Sequence, residues 1–376
     1  MIQGGVEAHV ENLAINMAKL GHEVFVYTRS YYTDKNLKEY KGVKLISVPS
    51  LKTKNLDAIS HTLFSTIHAL FQKYDVIHYH SVGASLLSFI PRIFTRAKII
   101  GTFHCQDRFH QKWGAFAKLM LHLGEWTVCK FPHVTISVSK YIQKYCLKEY
   151  NTKTVYIPNG FEIAENFNTE ILEKFNIKPK KYFLCVTRLI KHKGVHYLID
   201  AYKKLDNSEF QLVIVGDTFY NDEYKKELLD SIQNSENIIF TGTLIDDNLN
   251  SIFTNAYAYV LASENEGLSI SLLEAMAHGI PTIVSNIEAN EDFIEKNLVY
   301  GFENKNAEDL KNIMKKLIDD YEKSVSKAQR ASEYIKENFS WEKITNQTQD
   351  IYKEKNECLQ CLYKKIFNRK TSVKIN

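Results

Sequence analysis

Glu266 and Glu274, with seven residues between them in Glu266-Gly267-Leu268-Ser269-Ile270-Ser271-Leu272-Leu273-Glu274, form the pair of side chains here best suited to chemistry. The pattern predicts that the first lies in a loop and the second inside the helix that follows. Both can then reach one ligand lying over the helix N-terminus, where the free N–H groups around Gly267–Ile270 offer donors to phosphate or sugar oxygens. Carboxylates accept from hydroxyls, and amides suit anions. A second group is Arg188-Leu189-Ile190-Lys191-His192-Lys193-Gly194, directly after a predicted strand at Tyr182–Thr187. In a strand-to-helix loop, Arg188 and Lys193 can flank a diphosphate.

The elements that must position these residues are readable as alternation. Val6–Lys19 carries apolar residues at helical spacing, Gly21 stops that helix, and a short strand Glu23–Thr28 follows. Further strands are predicted at Val43–Val48, Val76–Tyr79, Lys98–Thr102, Val134–Val138 and Val155–Ile157. A second series runs through Tyr182–Thr187, Leu212–Val215, Ile238–Thr241, Ala258–Leu261 and Thr282–Val284. Strands alternating with helices imply an α/β fold with parallel sheets covered by helices. Two such series predict two Rossmann-like, doubly wound domains facing a cleft at their strand C-termini. We expect domains at 1–165 and 166–339, a returning helix at 340–352 and a basic tail at 353–376. Gly4-Gly5 has only Met1, Ile2 and Gln3 before it, whereas a glycine turn opening a helix in such a domain normally follows the first strand. The expectation is therefore that the first strand of the N-terminal domain is missing, through an internal start or a truncation.

Composition narrows the classes. The 376 residues are 44% hydrophobic and 24% charged, which excludes a disordered or collagen-like chain. The 48 Lys/Arg and 44 Asp/Glu leave +4, but residues 353–376 alone carry seven Lys/Arg against two Glu, so the body is close to neutral. A nucleic-acid partner is not expected, because its basic stripe would lie on the folded body. The tail, with Leu359, Leu362, Ile366 and Phe367 among Lys364, Lys365, Arg369 and Lys370, suits an anionic membrane surface better. Six cysteines (Cys105, Cys129, Cys146, Cys185, Cys358 and Cys361) form no dense framework, and no signal peptide or membrane span is visible. We expect a cytoplasmic chain, able to sit at the inner face of the cell membrane. Cys358 and Cys361 lack the second pair of a zinc site. His78 and His80 alternate along a strand, where packing or strand-end hydrogen bonding is expected rather than ligation.

With both motifs in place, the sequence resembles the retaining GT-B glycosyltransferases of glycosyltransferase family 4, the "group 1" glycosyltransferases, over nearly the whole chain to about residue 352. The resemblance implies that Glu274 holds the ribose hydroxyls of a nucleotide sugar and that Glu266 contacts the donor sugar. It implies that Arg188 and Lys193, with the amides near Gly267, Leu268 and Ser269, neutralise the leaving nucleoside diphosphate, a task other sugar transferases give to a metal, so that no metal or cofactor is required. Gly4-Gly5-Val6-Glu7 resembles the family's glycine loop against the donor phosphates. Gly101-Thr102-Phe103-His104-Cys105-Gln106-Asp107, with Lys112-Trp113-Gly114, resembles its His-Gly-x-Asp segment, with Cys105 where Gly is usual. His104 then contacts the donor sugar, and Asp107 binds acceptor or caps the next helix. Tyr156-Ile157-Pro158-Asn159-Gly160 resembles the inter-domain turn. The implied acceptor is a surface polysaccharide, lipid-linked sugar or related envelope glycan. The rival readings are a noncatalytic nucleotide-sugar-binding subunit and a dehydrogenase, the latter lacking any Gly-x-Gly-x-x-Gly.

Overall fold

The computed structural model describes residues 4–354 apart from 35, 52–56, 110–113, 164–165, 219–222 and 234. The expectations for Lys112, Trp113, Cys358, Cys361 and the tail beyond Glu354 lie outside the described residues. The chain divides into two compact units, Met1–Pro158 with Glu342–Asn376, and Asn159–Trp341.

Unit 1 contains β1 (Val24–Arg29), β2 (Glu39–Tyr40), β3 (Val43–Val48), β4 (Val76–His80), β5 (Lys98–Phe103), β6 (Val134–Ser137) and β7 (Val155–Tyr156). They form two sheets. One has the order β1-β3-β2, with β1 parallel and β2 antiparallel to β3; the other is the parallel series β4-β5-β6-β7. Among the described residues no pairing joins β1 to β4. Burial follows that break: all six residues of β1 and four of five in β4 are half-buried, whereas all six of β5 are buried. The helix Gly5–Lys19 sets Ala14, Ile15 and Ala18 against Val24, Val26 and Val43 of the first sheet.

The helix Trp341–Lys353 ends against the second sheet. Tyr352 Oη lies 2.7 Å from His78 Nδ1, and the buried Lys98 ammonium donates to the carbonyls of Ile351 and Glu354, the latter at 2.7 Å. A lysine is rarely buried, even at the first residue of a strand, where Lys98 stands. Here it stops the carbonyls at a helix C-terminus from going unpaired.

Unit 2 contains β8 (Tyr182–Val186), β9 (Gln211–Val215), β10 (Ile238–Gly242), β11 (Ala258–Leu261), β12 (Thr282–Ser285) and β13 (Tyr300–Phe302) in one parallel sheet, order β10-β9-β8-β11-β12-β13. Renumbered within the unit, this is the doubly wound order 3-2-1-4-5-6, whose switch point falls between β8 and β11. The strands read as apolar runs because both faces are covered: β9, β11 and β12 are buried throughout. Phe183, Leu198, Phe210, Leu212, Tyr257 and Met314 belong to one continuous core. Among the described residues, no helix is long and apolar enough to cross a membrane.

Candidate functional site: the switch point of unit 2

In open α/β sheets a ligand binds outside the strand C-termini at the switch point. The loop leaving β8 carries Arg188 and Lys193, and the loop leaving β11 carries Glu266, so both motifs sit at neighbouring strand ends. The two loops are stitched together. The Glu264 N–H donates to the His192 carbonyl at 2.8 Å. Gly194, with φ +67°, passes so close that a Cβ there would lie 1.9 Å from the Ala262 carbonyl oxygen. Only glycine satisfies both that backbone angle and that approach.

Lys193 Nζ pairs with Glu266 Oε1 at 2.5 Å, and both side chains are largely buried. Arg188 is exposed and makes no ion pair among the described residues. The helix Ile270–Ala277 follows, capped by Ser269, whose Oγ accepts from the Leu272 N–H at 3.3 Å. Its first-turn N–H groups have no acceptors within the helix. Glu274 lies one turn further on, and burial, with the Glu162 carboxylate adding repulsion, raises its pKa to about 8. Glu266 and Glu274 share one electrostatic neighbourhood: burial first, and then both carboxylates among lesser causes, push the Tyr259 hydroxyl well above its usual range. Arg188, Lys193, Glu266, Gly267, Leu268, Ser269 and Glu274 thus lie on the two loops leaving the adjacent strands β8 and β11 and on the helix that follows the second loop.

Tyr259 and Ser271 were given no separate role from the sequence, whereas Asn159 was read as part of the inter-domain turn and as a candidate to line the cleft. Tyr259 Oη lies 2.8 Å from Ser271 Oγ, which donates to the Val186 carbonyl at 3.1 Å and lies 3.1 Å from Ser269 Oγ. This hydroxyl chain ties the glutamate helix to the end of β8. Asn159, 4% exposed, donates from Nδ2 to the Leu268 carbonyl at 2.7 Å and so pins the loop between the two glutamates. The signal for Asn159 was its place after Pro158; Tyr259 sits inside a strand and gives no signal beyond its hydroxyl.

In unit 1, His104 follows β5 and is 5% exposed. Its Nε2 lies 3.2 Å from His80 Nδ1, and burial, with His9 and His78 adding repulsion, holds its pKa well below 6.5, so the ring is neutral. Cys105 donates from Sγ to Asp107 Oδ1 at 2.9 Å, at the start of the single turn Asp107–Phe109. Gly4 and Gly5 open the helix Gly5–Lys19; no side chain caps it, and a Cβ at Gly5 would meet open space. Gly4, Gly5 and His104 therefore belong to unit 1, and the other seven site residues to unit 2.

Two mostly parallel α/β units, one with the 3-2-1-4-5-6 order and a cationic loop beside an acidic one at its switch point, have the architecture of a GT-B glycosyltransferase. The family profile described as glycosyltransferase family 4 matches residues 3–165, and that described as glycosyl transferases group 1 matches 167–338. The chain belongs to this family. It is 28% identical to the uncharacterised glycosyltransferase MJ1607 of Methanocaldococcus jannaschii, over 94% of this chain and 95% of that protein. It is 25% identical to the alpha-monoglucosyldiacylglycerol synthase of Streptococcus pneumoniae, over 74% of this chain and 67% of that one. In fold it is similar to Anabaena Alr3699/HepE in complex with UDP-glucose, with a TM-score of 0.76, 19% identity, and coverage of 93% of this chain and 96% of that one.

Proposed function

We propose that this chain is a retaining, metal-independent glycosyltransferase that moves a sugar from a nucleoside-diphosphate donor to a hydroxyl acceptor. The observation that carries the reading is the Lys193–Glu266 pair at the unit 2 switch point, beside the exposed Arg188 and the first-turn amides of a capped helix. The ammonium and guanidinium take the diphosphate, and the amides of Gly267, Leu268 and Ser269 donate to its oxygens. Glu274 accepts from the ribose hydroxyls, and Glu266 turns from Lys193 towards the donor sugar. The bond from the anomeric carbon to the diphosphate oxygen breaks with its electron pair going to the diphosphate. The acceptor oxygen bonds to the same face, and its proton passes to a phosphate oxygen. No enzyme nucleophile is consumed. One well-placed donor to the leaving group is worth ~3–4 kcal/mol in the transition state.

His104 contacts the donor sugar, and Gly4 and Gly5 let the backbone approach the phosphates. Donor chemistry is supported by the complex of Alr3699/HepE with UDP-glucose, and a lipid-linked or envelope acceptor by the glycolipid synthase among the relatives. The basic tail would bring a cytoplasmic enzyme to such an acceptor at the membrane. Flotation with anionic vesicles tests that contact, since a chain ending at Glu354 is then expected to stay unbound.

Incubation with UDP-glucose and other nucleotide sugars plus an envelope extract tests the reaction. Transfer with the donor's anomeric configuration preserved in the product is expected. Donor hydrolysis without transfer identifies a binding subunit instead, and a glycosyl group trapped on Glu266 identifies double displacement.

A further inference from the structure

Unit 1 buries a carboxylate that the proposed transfer does not use. Glu125, on the helix Ala115–Lys130, is fully buried. Its Oε2 accepts from Tyr150 Oη at 2.6 Å and from Tyr145 Oη at 2.9 Å, and it lies 3.0 Å from Arg108 Nε. Arg108 belongs to the single turn Asp107–Phe109 that comes shortly after His104. We propose, resting on the placement of His104 at the donor sugar, that Glu125 is a positioning residue for transfer: it anchors Arg108 and so fixes the turn behind His104.

The geometry carries the assignment. Arg108 also donates from Nη2 to Tyr145 Oη at 2.6 Å, so its guanidinium meets the carboxylate directly, as an ion pair, and again through a hydroxyl. Two attachments on a planar, rigid group fix its orientation as well as its position. The chain is tied a second time just before the turn, where the buried Gln106 accepts at Oε1 from Tyr141 Oη at 2.7 Å. Tyr141 and Tyr145 are four residues apart on the helix Lys140–Tyr150 and so share a face. Gln106 and Arg108 thus fasten the segment to two helices, one through Glu125 and the other through the tyrosines.

Such a cluster is a poor way to gain stability. A buried carboxylate gives up its hydration, and an ion pair repays that loss only where the remaining lone pairs are also satisfied. Glu125 Oε1 and Gln106 Nε2 are both buried without a hydrogen-bond partner among the described residues. Burial raises the Glu125 pKa, and the hydroxyls of Tyr150 and Tyr145, then the Arg108 charge, oppose that rise. An apolar pair of similar volume would fill the same space at lower cost. It would not aim the turn, because apolar contact is non-directional whereas charge-assisted hydrogen bonds fix geometry.

What the segment carries gives that aim a purpose. His104 stands at its head with Nε2 3.2 Å from His80 Nδ1, and Asp107 accepts from Cys105 Sγ at 2.9 Å. Both ends of the stretch from His104 to Arg108 are therefore held, the first at β4 and the second at Glu125. Releasing the second end lets the backbone beside His104 relax, and a displacement of ~1 Å at a reacting group can cost ~100-fold in rate. Glu125 itself touches no ligand in this role. It acts through Arg108.

Full-length wild type, Glu125→Gln, Arg108→Met and the double variant Glu125→Gln/Arg108→Met are compared for transfer kinetics, nucleoside-diphosphate affinity, Tm and the 15N signals of the His104 ring. The double variant buries no charge and keeps a side-chain oxygen for Tyr145 and Tyr150, so its Tm should recover towards that of wild type. Its kcat should stay about 10–100-fold down, as in the single variants, with donor KM and affinity for the free nucleoside diphosphate within about threefold. The His104 signals should move in all three variants, and those of His278 in unit 2 should not. Tyr145→Phe keeps the ion pair and should shift the same His104 signals, which guards against a Glu125 variant that does not fold. Transfer that recovers together with Tm in the double variant, or a His104 ring that no variant moves, shows a merely structural role and overturns the proposal. The ring signals are read without a sugar, so a wild-type chain that transfers nothing defeats the transferase reading, and the spectrum still decides whether Glu125 anchors the turn.

Discussion

The two units of this chain share an alternating pattern of strand and helix but differ in how far it closes. In unit 2, β8 and β11 pair side by side, and Ala258 faces Phe183 in register. The loops leaving those two strands are thereby held at a fixed separation. In unit 1, β1 and β4 each have one edge without a strand partner among the described residues and stay half-buried along nearly their whole length. The lesson is about preorganisation. A site that grips a charged leaving group needs its donors fixed before the reaction, and the paired β8 and β11 hold the two loops of the proposed site, whereas His9, His80 and His104 of unit 1 converge where no strand pairing joins its two sheets among the described residues.

The largest effect that could break this contrast is on transfer itself. Lys193→Ala should lower the transfer rate by about 100–1000-fold and abolish most nucleotide binding. His104→Ala should lower transfer while leaving affinity for the free nucleoside diphosphate within about threefold. Steady-state rates and calorimetry on both variants decide it, and equal losses of nucleotide affinity would erase the division of labour.

Stability comes next. Phe183→Ala, in the closed core of unit 2, should cost about 3–5 kcal/mol, whereas the half-buried Phe25→Ala in β1 should cost about 1 kcal/mol or less, measured by denaturant unfolding. Gly194→Ala should cost about 2 kcal/mol or more, since its Cβ collides with the Ala262 carbonyl at a positive φ.

The pH dependence is smaller. Glu274 binds its proton more tightly in the folded chain than in the unfolded one, so its contribution to stability is lost as pH rises from the ordinary carboxyl range, about 4.5, to about 8. Glu274→Gln should flatten that decline by about 1–2 kcal/mol in unfolding experiments without donor. On the proposed role of Glu274, ribose hydroxyls would donate to the ionised carboxylate, so donor affinity in the wild type should rise between pH 6 and 8, and this slope should vanish in the variant. The smallest effect is kinetic: amides of β1 and β4 should exchange with solvent faster than those of β8 and β11.

Much of this was legible in the sequence. β3 and β11 have the predicted bounds, and most other predicted strands shift by a residue or two. β2 and β13 were not read, because two residues show no period and Tyr300-Gly301-Phe302 is short and broken by glycine. The switch-point residues were legible because each group is contiguous: a loop of seven residues and a motif of nine. What was hidden depends on contacts between remote segments. Asn159 reaches Leu268 across 109 positions, and the imidazoles of His9, His80 and His104 come from three elements that no local period connects. The split between β1 and β4 is likewise a matter of pairing.

The most direct measurement is calorimetric titration of the full-length protein with a panel of nucleoside diphosphates, repeated for Arg188→Ala, Lys193→Ala and Glu274→Ala. One diphosphate should bind the wild-type chain, with affinity falling at least tenfold in each variant while the far-ultraviolet spectrum is unchanged. Binding that is indifferent to all three substitutions would show that the diphosphate is held elsewhere, and the switch-point site would have to be abandoned.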